Sequence, residues 1–163
     1  MHRDLFFLIN ERGGPILIPS FAVERAQEML FAIGALQRSN PRIAPVPVHL
    51  DSPMAIKVDA VFEHHPEAHK TLPGERDGTF GCANLTVHAS SEESKQLNDV
   101  AGPAIVIASS GMATGGRILF HLHRCLPNAR ATVISGRSAS ARLQSCRNLR
   151  YSAAARFPCP FVR

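Results

Sequence analysis

The sequence has no apolar run approaching the roughly 18–20 residues that a membrane span needs. Its first residues, Met1-His2-Arg3-Asp4, do not lead a basic segment into an apolar run and a small-residue cleavage site, so neither a membrane protein nor a signal peptide is expected. Cysteine is sparse: Cys82, Cys125, Cys146 and Cys159 lie far apart, with no CxxC pair. That spacing fits neither a zinc knuckle nor a secreted disulfide framework, and a cytoplasmic location is the default expectation. Internal repeats and low-complexity tracts are also missing. The chain is 45% hydrophobic and 19% charged, which excludes the composition of a disordered chain. Its 163 residues fit one domain with a proper core.

One further absence is local. The last 27 residues hold six arginines (137, 142, 147, 150, 156 and 163) and no acid, whereas residues 1–136 carry 12 basic against 13 acidic side chains. The positive excess therefore belongs to the tail alone, +6 there against −1 in the body. A basic tail on a nearly neutral body suggests a nucleic-acid arm.

What is present alternates strand-like and helix-like segments. Pro15–Pro19 reads as a buried strand, followed by a helix from about Phe21, capped by Ser20 and stopped by Ser39-Asn40-Pro41. Val46–Leu50 is a second strand, its proline hinting at an edge or a strand start. Ser52-Pro53 sets an N-cap before an N1 proline and a helix through Phe62. After a Pro-, Gly- and charge-rich connection over 66–84 come a strand at Leu85–His88 and a short helix with Ser91 and Ser94 as candidate caps. The strand Ala104–Ala108, a helix over about 115–126 and a strand at Ala131–Ser135 complete the pattern. This alternation predicts an α/β fold, a mostly parallel sheet flanked by helices.

The stretch richest in chemistry follows the fourth strand: Ser109, Ser110, Gly111, Gly115, Gly116 and Arg117 lie in a turn before a helix. Glycines allow close approach by another backbone, and free N–H groups at a helix start favour a phosphate. A cation in the first turn of a helix, as Arg117 is expected to be, is disfavoured by the dipole unless an anion is nearby. The turn lies at the carboxyl end of a strand, where ligands of parallel sheets bind. A tight connection with no ligand explains the same spacing. Two other strand ends offer Ser20, Phe21 and Arg25, and Asp51 and Ser52; Asp51 reads either as a carboxylate orienting a basic group or as a helix cap.

The runs Gly13-Gly14-x-Ile16-Leu17-Ile18-Pro19-Ser20-Phe21-Ala22-Val23-x-Arg25-Ala26-Gln27-Glu28, Asp51-Ser52-Pro53-Met54-Ala55 and Ala108-Ser109-Ser110-Gly111-Met112-Ala113-Thr114-Gly115-Gly116-Arg117 resemble the β-CASP family in order and spacing. The resemblance covers about residues 5–136. One departure is Glu24, where the family usually has glycine; read as a helical position, it is expected to leave the fold intact while altering local packing or substrate approach. The resemblance implies the β-CASP cap of a metallo-β-lactamase-fold RNA nuclease, whose core binds two zinc ions through an HxHxDH motif and activates a water for attack on a phosphodiester. RNA is then the partner, and the core normally shares the polypeptide. A homodimer is left open.

This sequence contains no HxHxDH, so no catalytic or metal-ligating residue is assigned here, and the chain alone is expected to bind no zinc and cleave no RNA. His121 and His123, two apart on a helix, point away from each other. His65 and His69 are i,i+4 but interrupted by Pro66, and His2, His49 and His88 are scattered. The expected organisation is a partial β-CASP domain over 1–136, incomplete at both ends, and a non-family tail over 137–163. A reading-frame shift or gene truncation near residue 137, leaving a disordered end, explains that tail; an RNA-binding arm is the alternative. A stand-alone RNA-binding or regulatory module and a non-functional gene fragment are the rival readings of the whole chain.

Overall fold

The computed structural model describes residues 13–39, 46–65, 81–100, 102–125, 127–134 and 151–152. Strands β1 (Ile16–Pro19), β2 (Val48–Asp51), β3 (Leu85–Val87), β4 (Ile105–Ala108), β5 (Thr132–Ile134) and β6 (Tyr151–Ser152) form one sheet in the order β3-β2-β4-β1-β5-β6. Every pairing is parallel. Helices α1 (Arg25–Ser39), α2 (Pro53–His64), α3 (Ser91–Gln96) and α4 (Ile118–Cys125) connect them, with a 3-10 turn at Leu97–Asp99.

The central strands read as unbroken apolar runs because both faces are covered. Ile16, Ile18, Val48, Leu50, Ile105 and Ile107 point to one face and meet Met29, Leu30 and Ile33 of α1 and Ala55 of α2. Leu17, Val106, Ala108 and Val133 point to the other and meet Leu97, Ile118 and Leu122. The predicted α/β class is thus the observed one. Pro47 precedes β2, which lies inside the sheet between β3 and β4, so that proline marks a strand start rather than an edge. The tail contributes a two-residue strand at Tyr151–Ser152, parallel to β5, where the sequence shows no strand signal; residues 135–150 and 153–163 lie outside the described residues.

Two helix starts differ from expectation. Ser20 does not cap α1, which begins only at Arg25 after a turn over Ala22–Glu24. Glu24 sits in that turn at φ 65°, the left-handed region that favours glycine, not in a helix. The reading of position 24 as helical is therefore corrected: its backbone conformation is one that glycine adopts more readily. At α3 the cap is Ser90, whose Oγ accepts from Glu93 N–H while the Glu93 carboxylate accepts from Ser90 N–H. That leaves Ser94 free for another task. By contrast Ser52 caps α2 as read, accepting from Ala55 N–H at 3.3 Å, with Pro53 opening the helix.

Candidate functional site

The sheet register fixes where the motif loops meet. Pro19 and Asp51 both pair with Ala108, so β1, β2 and β4 end level with one another. Ser20, Ser52 and Ser109 each follow one of those ends. Ser52 Oγ and Ser109 Oγ share a hydrogen bond of 2.6 Å, tying the second loop to the third. Phe21 closes the gap to the first: a Cβ on Gly111 would lie 2.8 Å from Phe21 N and from its ring, so only glycine lets these loops touch.

The Ser109–Arg117 turn is held by bonds within itself. Ser110 N–H donates to Gly115 O, Ala113 N–H to Ser110 O, and Ile118 N–H to Ser109 O. Gly116, at φ 74°, would place a Cβ 2.5 Å from Ser109 O, so this glycine is required as well. Gly115 is not, since nothing lies within 4 Å of a Cβ there. Among the described residues, the N–H groups of Gly111, Met112, Thr114, Gly115 and Gly116 have no internal acceptor.

Beneath the turn, His49 and Asp51 leave β2 on the same face, two residues apart, opposite to Leu50. Asp51 is fully buried. Its Oδ1 accepts from Arg117 Nη1, and its Oδ2 from Ser94 Oγ and His121 Nε2, each at 2.6 Å. Burial pushes this carboxyl up, but the bonds from His121, Ser94 and Arg117 outweigh it and hold the group below the usual carboxylate range. Arg117 stands just before α4, which starts at Ile118 rather than near Gly115. It also donates to His88 O and Ala89 O, both at 2.9 Å, so its guanidinium clasps the β3–α3 loop to β2.

His49 Nδ1 and His88 Nε2 are 3.1 Å apart and joined by a hydrogen bond. Burial, then His88 and His121, lower the His49 pKa and keep its ring neutral at neutral pH. His49 and His88, read as scattered, thus belong with His121 to one polar layer. Sequence reasoning missed Ser94, His121, His88 and His49. Two spacings carried the signal: Arg117 and His121 are i,i+4, and His49 and Asp51 are i,i+2.

The remaining expected residues are also placed. Ser20 is buried and Phe21 half exposed. Arg25 pairs with Glu28 at 2.8 Å, one turn along α1. His65 lies at the end of α2 and His69 outside the described residues. On α4, His121 is buried on Asp51 whereas His123 is exposed, as helical geometry requires. No group of three or more His, Cys, Asp or Glu among the described residues could hold a metal ion, and the donors of Asp51 and His121 are already engaged.

Comparison with known proteins matches residues 26–141 to the Beta-Casp domain. Ribonuclease TTHA0252 of Thermus thermophilus is 42% identical over 130 residues, covering 76% of this chain and 29% of that protein. Transcription termination factor FttA of Methanocaldococcus jannaschii is 30% identical over 140 residues, 81% of this chain and 22% of the relative. Endoribonuclease YSH1 of Mycosarcoma maydis is 29% identical over 140 residues, 83% of this chain and 16% of the relative. The chain spans less than a third of the length of each. With the motif loops brought to one end of a parallel sheet and the domain match running through the second and third of them, the chain is a member of the β-CASP family.

Proposed function

We propose that this chain is the β-CASP cap of a zinc-dependent RNA nuclease, holding the RNA strand over a catalytic core supplied by the rest of the polypeptide. The observation that carries this reading is the convergence of three loops at the carboxyl ends of β1, β2 and β4. There a turn holds N–H groups that have no acceptor among the described residues, and its last residue, Arg117, is anchored on a buried, ionised Asp51. Such N–H groups are donors suited to phosphate oxygens. Two of the relatives are named as a ribonuclease and an endoribonuclease, which supports RNA as the strand.

In this reading Ser109, Ser110, Gly115 and Gly116 form the phosphate-facing surface over the buried Gly111, and Arg117 acts mainly by holding it in shape. Phe21 borders that surface from the first loop, the buried Ser20 and Ser52 support it from below, and Arg25 follows at the start of α1. The chain contributes strand binding and cleft covering. Zinc and the attacking water belong to the core.

Gly115→Asp tests this directly. The open space at Gly115 accepts a side chain, and a carboxylate there both repels phosphate and competes for the N–H groups. Affinity for a short single-stranded RNA should fall about ten- to a hundredfold, the effect of losing a hydrogen bond to a charged group. An unchanged affinity in a folded variant would contradict the reading.

A further inference from the structure

A cavity of about 500 Å³ lies between α3 and α4, inside the roughly 300–1,000 Å³ range of small-molecule sites. Lys95, Asn98 and Phe120 line it, and it shares Ser94, Arg117 and His121 with the Asp51 network. Phe120 is 75% exposed, beside the partly exposed Leu119, while the next two residues of α4, His121 and Leu122, are buried. A large aromatic ring left in water at the mouth of a cavity has to be weighed against what else lines it. A purely apolar ligand would leave the Asn98 amide and the Lys95 ammonium unmatched. A simple anion would make no use of the ring. A flat heterocycle with a hydrogen-bonding edge, attached to a phosphate, matches all three groups.

We propose that this cavity is a nucleobase subsite for the RNA strand, resting on the reading of the Ser109–Arg117 turn given above. The base stacks on Phe120, its polar edge meets Asn98, and Lys95 neutralises a neighbouring phosphate. Arg117 makes the two sites contiguous, because it ends the phosphate-facing turn and lines the cavity. Stacking tolerates any base, so the subsite adds affinity without strong sequence preference.

The test measures binding of the 163-residue chain to a short labelled single-stranded RNA and to an abasic ribose-phosphate oligonucleotide of equal length. Phe120→Ala should weaken RNA binding about five- to 150-fold, the range expected for one stacked base. Phe120→Trp should restore it, and neither change should alter affinity for the abasic probe. Because the ring is exposed, both variants should keep the wild-type Tm. Equal RNA affinities of wild type and Phe120→Ala, with Gly115→Asp still weakened, would overturn the subsite and leave the turn reading standing; Phe120 would then be covered by another segment of the polypeptide. A loss shared equally by the abasic probe would overturn it too. If Gly115→Asp has no effect, the underlying reading fails first.

Discussion

The carboxylate of Asp51 at the end of β2 and the guanidinium of Arg117 before α4 are joined at 2.6 Å across 66 residues of chain. Asp51 is fully buried and Arg117 is 19% exposed. Such a pair organises structure without adding much net stability, yet losing one member strands the other: the cost is about 3–5 kcal/mol. Arg117→Ala should therefore lower stability by about that amount in denaturant titration, and Arg117→Lys should restore only part of it because an ammonium lacks the guanidinium's planar fork. A near-wild-type midpoint for Arg117→Ala would show that Ser94 and His121 suffice.

The same carboxyl sets an acid limit. Its folded pKa lies below the unfolded value, so its contribution is complete above about pH 4 and is lost as pH falls through the depressed folded value. Asp51→Asn should flatten this acid loss in a plot of Tm against pH.

Asp59 gives the opposite sign. Gln27 Nε2 donates to its Oδ1 at 2.6 Å, in a pair that is 0% and 5% exposed. Gln27 Oε1 and Asp59 Oδ2 are both buried without a hydrogen-bond partner. Burial pushes the Asp59 pKa up to about 6, with Gln27 opposing and Glu63 adding to the rise. A proton on Oδ2 is the one donor this pair lacks. Below about pH 4 the carboxyl is neutral in both states and its contribution is full. Between about 4 and 6 the unfolded chain ionises first and stability falls, by on the order of 3 kcal/mol in all. Asp59→Asn supplies a permanent N–H donor and should remove that pH dependence; a slope unchanged by the substitution would place the titration elsewhere.

Glu24→Gly should stabilise the chain. A non-glycine residue in the left-handed region costs about 1–2 kcal/mol, and the greater freedom of glycine in the unfolded chain returns about 0.4–1 kcal/mol of that. A net gain of up to about 1 kcal/mol is expected, visible as a higher Tm. A decrease would mean that the Glu24 side chain makes a stabilising contact.

The sheet was legible because strands buried on both faces leave continuous apolar runs such as Ile105–Ala108, and because Ser52-Pro53 announces its helix. The network under the turn was not. Asp51 finds its partners 43, 66 and 70 residues away, and no local spacing reports such a distance. The spacing of His121 and His123 speaks only against a shared metal and carries no sign of a buried carboxylate 70 residues away. Glu24 lies in a turn over Ala22–Glu24 that its residue types do not announce, since a helix-forming sequence runs straight through it.

The three glycines of the turn separate packing from presentation. Gly116→Ala combines a positive φ with a contact on Ser109 O and should cost at least about 2 kcal/mol. Gly111→Ala should also destabilise, by pushing Phe21 away. Gly115→Ala should be nearly silent in thermal unfolding. Equal losses at all three would mean that the turn is packed throughout and has no open face.

The central claim is that RNA meets this chain at the Ser109–Arg117 turn, and the basic residues of 137–163 are its competitor for any binding signal. Titrating isotope-labelled chain with a short single-stranded RNA and following each backbone amide by NMR distinguishes the two. The amides of Gly111, Met112, Thr114, Gly115 and Gly116 should shift together and saturably, with Gly13 and Gly14 at the opposite end of the sheet unchanged. Shifts confined to residues 137–163 would contradict the claim.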